Sequence, residues 1–355
     1  MPRISLLLFV GLLSACAKLS PSEFPVGFFG VETAEDAKLL AGKGYNAFQS
    51  YQTLPARVMA VSEEARRSGA LFLVSHAEIL PSTTPASAYP GAWWYLQDEP
   101  DIHNMDQAAM KAVETKVLSW APGAKTAFVV GDGTKAKNYP DVADAIMVDW
   151  YPVPHRPLES AGDHVRMTAE AAGGRKIWAV LQAMDWREFP QGDPKKKRIG
   201  RFPDLAEIRF MSYDSVLNGA QGIWYFVYTI APGRTLAQAP ELMFAVDWVA
   251  REMREMSPIF ARGRPIPLPF EPPTKGWLAR AWTYHGRDYL VLANRTKDRQ
   301  WRVPEEALKP YWRPLFEVRR DPRELLKEHK GSYYLKPYQV LVLESRIRPK
   351  RLLGR

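Results

Sequence analysis

Cysteine is nearly absent. Cys16 is the single one in 355 residues, so no disulfide framework holds this chain together. Six histidines (His76, His103, His155, His164, His285 and His329) show no HExxH-type spacing and join no Cys/His cluster. No metal is therefore expected, and no other cofactor either. A Gly-rich phosphate loop and a Gly-x-Ser-x-Gly elbow are both missing, which sets aside nucleotide enzymes and serine hydrolases. Long apolar runs are missing too. The one at residues 4–15 falls short of the roughly 20 residues a spanning helix needs, which excludes a multi-span membrane protein. Acids are in deficit, with 39 Asp+Glu against 48 Lys+Arg and a net charge of +9. No recognised nucleic-acid motif accompanies that surplus, so no nucleic-acid partner is expected.

What is present is globular: 46% hydrophobic, 25% charged and 12% aromatic. The length suits one large α/β domain with a smaller companion, and the expected form is a monomer. The N-terminus reads as an export signal: a basic start at Arg3, an apolar stretch from Ile4 to Leu13, then small residues. Leu13-Ser14-Ala15-Cys16 resembles the bacterial lipobox. That resemblance implies cleavage after residue 15, lipidation of Cys16 and a membrane anchor. The lack of Asp at position 17 favours, by the same resemblance, the outer membrane. An ordinary signal peptide is the plainer alternative.

From residue 24 onward, short apolar runs alternate with stretches of helical period. The strands read as Val26–Val31, Ala47–Tyr51, Leu71–Ser75, Trp93–Gln97, Lys125–Val130, Ala145–Asp149, Ile177–Gln182 and Gly222–Val227. Helical patterns lie between them, with glycines where helices should stop. Eight such units over 24–258 predict a (β/α)₈ barrel, a TIM barrel. A Pro-rich linker is expected over 259–273. Alternating patterns over 274–345 predict a small antiparallel, sandwich-like β-domain, its first hairpin turned by Gly286-Arg287. The tail, 346–355, is basic.

In such a barrel the chemistry sits at the C-terminal ends of the strands. Strand four runs Trp93-Trp94-Tyr95-Leu96-Gln97 into Asp98-Glu99-Pro100, so two acids follow an aromatic strand. Strand six ends in Asp149-Trp150-Tyr151, strand seven in Gln182, strand eight in Trp224-Tyr225-Phe226-Val227-Tyr228. Strand three ends near His76 and strand two at Tyr51. These residues resemble the (β/α)₈ glycoside hydrolases of clan-A type, and Ala220-Gln221-Gly222-Ile223-Trp224-Tyr225 resembles their entry into strand eight. The resemblance implies that Glu99 is the general acid/base of glycosidic cleavage. A carboxyl in a partly apolar pocket keeps its proton to higher pH, which suits that task.

The chain departs from the family at strand seven, where the common retaining members carry a glutamate and this one carries Gln182. An amide is no nucleophile of that kind. Asp149 is then the candidate second carboxylate, as base in an inverting reaction. Asp98 is a candidate for orienting a substrate N-acetyl group. A barrel that binds sugar without cleaving it, or serves envelope assembly, is the opposing reading. Candidate sugar contacts are Tyr51, His76, Trp94, Asp98, Trp150, Tyr151, Gln182, Trp224 and Tyr228; each also fits a packed or structural role. The basic run Lys195-Lys196-Lys197-Arg198, with Arg201, reads as a solvated loop or as a subsite for an anionic saccharide.

Overall fold

Eight short runs, apolar on both faces, become eight parallel strands, as expected of a sheet whose faces are both covered. The computed structural model describes residues 20–75, 84–189, 200–271, 276–317 and 321–345. The strands are β1 (Val26–Phe28), β2 (Ala47–Ser50), β3 (Leu71–Ser75), β4 (Ala92–Tyr95), β5 (Lys125–Val130), β6 (Ala145–Trp150), β7 (Lys176–Gln182) and β8 (Ile223–Phe226). They close in sequence order, β8 pairing with β1. The TIM-barrel architecture expected from the sequence is the architecture observed.

Alternation along each strand sorts its side chains. On β6, Ala145 and Met147 enter the barrel interior while Ile146 and Val148 face the helices. Three indoles, Trp93, Trp178 and Trp224, fill that interior, with centroids 5.2 and 5.8 Å apart in successive pairs. Burying each aromatic side chain contributes about 1.5–3 kcal/mol. At Gly27 the absence of a side chain lets β1 pass close to β2: a Cβ there would lie 1.9 Å from the Ala47 carbonyl oxygen.

Among the described residues six α-helices surround the strands: α1 (Ala34–Gly42), α2 (Pro55–Ser68), α3 (Gln107–Trp120), α4 (Ser160–Ala171), α5 (Leu205–Leu217) and α6 (Pro240–Arg262). The β5–β6 connection departs from the regular repeat, since it carries only a 3₁₀ segment, Gly133–Asn138. Thr33, Asp106 and Asp204 cap α1, α3 and α5 through side-chain oxygens, leaving fewer unsatisfied amides at each start. None of the described helices is long and apolar enough to cross a membrane.

The segment expected as a linker from residue 259 begins inside α6, which runs on to Arg262. A short hairpin of β9 (Thr229–Ala231) and β10 (Arg234–Thr235) follows β8, and residues Arg264–Ile266 form β11, the edge of a five-stranded sheet. That sheet has the order β11-β12-β13-β18-β15, with β12 (Trp277–Tyr284), β13 (Arg287–Asn294), β15 (Trp312–Pro314) and β18 (Val340–Ser345). A three-stranded sheet of β14 (Trp301–Arg302), β17 (Ser332–Leu335) and β16 (Lys327–His329) accompanies it. The C-terminal antiparallel region is thus as expected. Its first turn is corrected by one residue: His285 and Gly286, at φ 45° and 79°, make the two-residue loop, the conformation a primed hairpin turn requires.

Both faces of β13 are used. Leu290 and Leu292 join the β-domain core, while Val291 and Ala293 pack with the barrel's helices. Helix α5 lies in that contact, which explains why its second half, Phe210–Leu217, is buried without interruption. A polar tie crosses the same contact. Arg295 donates to Asp214 on α5 at 2.7 Å, to Asp163 on α4 at 3.0 Å and to the Glu159 carbonyl at 2.8 Å.

Candidate active site

Beyond Tyr95 the chain cannot stay extended, because Pro100 follows two residues after Asp98. Glu99 takes the left-handed region, φ 42°, which costs a non-glycine residue about 1–2 kcal/mol. Its carbonyl accepts from the Ile102 and His103 amides at 3.0 and 3.1 Å. Adjacent residues of a strand face opposite ways, and this kink turns both Asp98 and Glu99 into one cavity. That cavity measures about 370 Å³ and opens at the C-terminal end of the barrel. Glu99 is not an acid at a helix start, since α3 begins at Gln107 behind its own cap, Asp106.

The Glu99 carboxyl rests over Gly131, just past β5. A Cβ on Gly131 would lie 2.7 Å from Glu99 Oε1 and 3.0 Å from Ile102 Cγ1. The Gly131 and Asp132 amides donate to Asp101 at 3.0 and 2.9 Å, which fixes that loop. Gly131→Ala is therefore expected to displace the acid with the fold intact. Turnover is expected to fall about 100-fold, since small misplacements at the reacting centre cost that much. Steady-state kinetics beside a circular dichroism spectrum checks this; unchanged kcat would show that Glu99 tolerates movement.

Glu99 and Asp149 are brought together. Asp149 follows Ala145 and Met147 on the inward face of β6, and its carboxyl lines the same cavity as that of Glu99. Its Oδ1 is closed off from solvent without a partner. Burial, then the charges of Glu99 and Asp98, pushes Asp149 well above the usual carboxylate range. Burial, then Asp98 and Asp101, pushes Glu99 up as well. Both carboxyls therefore keep their protons to higher pH than exposed acids do. The inverting reaction expected of this pair needs about 6.5–9.5 Å between carboxyls to admit a water.

Asp98 is anchored by the Tyr95 hydroxyl, which donates to Oδ1 at 2.6 Å. Burial raises its pKa, and that hydrogen bond opposes the rise. Tyr51 stands at the rim, 37% exposed.

Opposite the acids the wall is aromatic. Tyr151 stacks on Phe226 at 5.3 Å, Trp186 meets Tyr151 edge-on at 5.9 Å, and Phe189 lies 5.4 Å from Phe226. Trp150 also lines the cavity, stacked on His164 at 3.5 Å and tied to Ser160 Oγ at 2.9 Å. His164 accepts the Gly133 amide on Nδ1 at 3.0 Å, and burial holds its pKa down. Apolar C–H faces of a sugar ring suit such a wall, with acids across from it.

Other expected contacts are corrected. Gln182 is fully buried and spent on backbone: its Oε1 accepts the Val153 amide at 2.8 Å and its Nε2 donates to the Val153 and Met184 carbonyls at 2.9 and 3.1 Å. It braces the loop after β6 and does not reach the cavity. Trp94 faces away from the barrel interior and packs on Trp120 at 4.8 Å. Trp224 lies in the interior layer beneath Phe226. Tyr228 packs on Phe28 and donates to Asp36 at 3.2 Å. His76, Cys16, residues 1–19, the run Lys195–Arg198 and the tail 346–355 lie outside the described residues. Residues that sequence reasoning passed over include Gly131, Asp101, Arg156 and Phe226. Only Gly131 left a visible signal, as a glycine directly after an apolar strand.

Taken together, the closed eight-stranded barrel has the fold of the clan-A-like glycoside hydrolases. Among solved structures it is similar to Eubacterium rectale Amy13B, at 10% identity over 92% of this chain and 96% of that one, with a TM-score of 0.55. A family 30 endoxylanase from Clostridium papyrosolvens C71 is 11% identical over 92% and 97%, TM-score 0.52. A family 5 glycoside hydrolase from Bacteroides vulgatus is 12% identical over 90% and 89%, TM-score 0.51. No family model and no curated protein matches the chain.

Proposed function

We propose that the protein hydrolyses a glycosidic bond of an oligo- or polysaccharide, with Glu99 as the proton donor. The observation that carries this reading is the Glu99 carboxyl turned by a strained backbone into the cavity, where burial and neighbouring acids raise its pKa. Cleavage needs a proton on the leaving oxygen, and a raised pKa keeps it available. Asp149 lines the same cavity and is the second carboxylate beside it. Asp98, beside Glu99 and anchored by Tyr95, is the acid left to meet the positive charge that develops on the sugar. The aromatic wall takes the sugar's apolar faces.

A second reading is favoured by Gln182: strand seven ends in an amide already spent on backbone, so the barrel binds saccharide without cleaving it. Reducing-end release from a panel of neutral and acidic glycans separates the two. Hydrolysis of one member is expected, with a rate that falls as pH rises through the raised Glu99 pKa, because the acid works only when protonated. No release across the panel, with saccharide binding intact, would favour the second reading. Export and anchoring through an acylated Cys16 at the outer membrane belong to the same proposal. Palmitate labelling that Cys16→Ser leaves unchanged would remove the anchor.

A further inference from the structure

A second, larger cavity, about 640 Å³, lies between the barrel and the β-domain. Its charged lining comes from three places: Arg156 on the loop after β6, Arg201 with Asp204 and Glu207 at the start of α5, and Lys297 and Lys336 on two β-domain loops. The acids there are occupied. Glu207 takes a two-pronged contact from Arg201, 2.6 Å on each arm. Asp204 caps α5 by accepting the Glu207 amide at 2.9 Å. Arg156, Lys297 and Lys336 are exposed, and none has an ion-pair partner among the described residues. Three cations thus face one cavity whose carboxylates are already spent.

Arg156 also lines the cavity that holds Glu99, with its guanidinium carbon 4.6 Å from the centroid of the Trp150 ring. The two cavities therefore meet at this residue. Pro154, Pro157 and Tyr338 add apolar and aromatic surface to the second.

We propose that this second cavity is a subsite for an anionic saccharide, whose carboxylate or sulfate groups are held by Arg156, Lys297 and Lys336 while the chain extends toward Glu99. Guanidinium and ammonium groups complement such anions, and a shared wall lets one polymer occupy both cavities. The inference rests on the glycosidase-like reading only for the second cavity's partner. Anion binding is measurable whether or not cleavage occurs.

The test is equilibrium binding of tetragalacturonate, its methyl ester, a chondroitin sulfate tetrasaccharide and cellotetraose, to wild type and to Lys297→Glu/Lys336→Glu. At least one anionic probe is expected to bind wild type about tenfold or more tighter than both neutral ones. Which anionic probe wins assigns carboxylate or sulfate. That preference should shrink on going from about 20 to about 300 mM NaCl. The double variant should lose it about tenfold, with neutral binding and the unfolding midpoint unchanged. Lys297→Gln/Lys336→Gln gives a milder loss and guards against a folding defect. Equal binding of charged and neutral probes, or a preference untouched in both variants, overturns the subsite. Cleavage of a neutral glycan alongside that result would leave the function proposed for Glu99 standing.

Discussion

Glu99→Gln is expected to lower kcat/KM on any glycan the protein cleaves by about 10²- to 10⁴-fold, the usual contribution of a positioned general acid. In barrier terms that is about 2.7–5.4 kcal/mol. Glutamine keeps the size and shape of the side chain over Gly131, so the cavity is preserved. Saccharide affinity should therefore change little, and the loss should fall on kcat. A glycan with a good leaving group, such as an aryl glycoside, needs less help from the acid and should lose less. Substrate depletion kinetics on both substrate types, with binding measured separately, gives the comparison. A variant as active as wild type would remove Glu99 from the chemistry.

The second large effect concerns stability. Arg295→Met should destabilise the protein by about 3–5 kcal/mol, because it leaves a buried carboxylate without its cation. Asp214 is fully buried, and Gly162 leaves room for it: a Cβ there would lie 2.1 Å from Asp214 Oδ2. Burial outweighs Arg295 and raises Asp214 to about 7. Its folded value thus lies above the unfolded one, so its contribution to stability is greatest below the unfolded pKa and declines as pH rises toward 7. Without Arg295 the folded value climbs further, and the decline continues to higher pH. The deficit of the variant should accordingly be larger at pH about 8 than at about 5. Denaturant midpoints at both pH values give the answer. A loss under about 1 kcal/mol, equal at both, would show that the contact between barrel and β-domain does not depend on this ion pair.

The barrel was legible because its strands are apolar runs bounded by caps and glycines, a pattern set by burial on both faces. Leu71–Ser75 and Lys125–Val130 agree with the observed strands residue for residue. Strand β16, Lys327–His329, was not, since Lys, Glu and His on a fully exposed edge carry no alternation. Glu99 was legible because proline stops strand four at the barrel mouth. Trp94 and Trp224 misled for a geometric reason. Strand neighbours face opposite sides, so Trp93 enters the interior and Trp94 leaves it. Depth along the strand then puts Trp224 beneath the cavity floor. Gln182 misled for another reason: its position is a site position, but its hydrogen-bonding capacity is consumed by the Val153 backbone, which only coordinates reveal. That Glu99 and Asp149 line one cavity depends on how strands four and six sit in the closed barrel, and no local pattern encodes it.

The most direct test is the structure of the Glu99→Gln protein with an oligosaccharide that wild type binds or cleaves. The proposed function predicts a glycosidic oxygen within about 3 Å of the residue 99 side-chain amide, with a sugar ring against Tyr151 and Phe226. A saccharide bound only away from the strand ends, with residue 99 touching no part of it, would contradict the account.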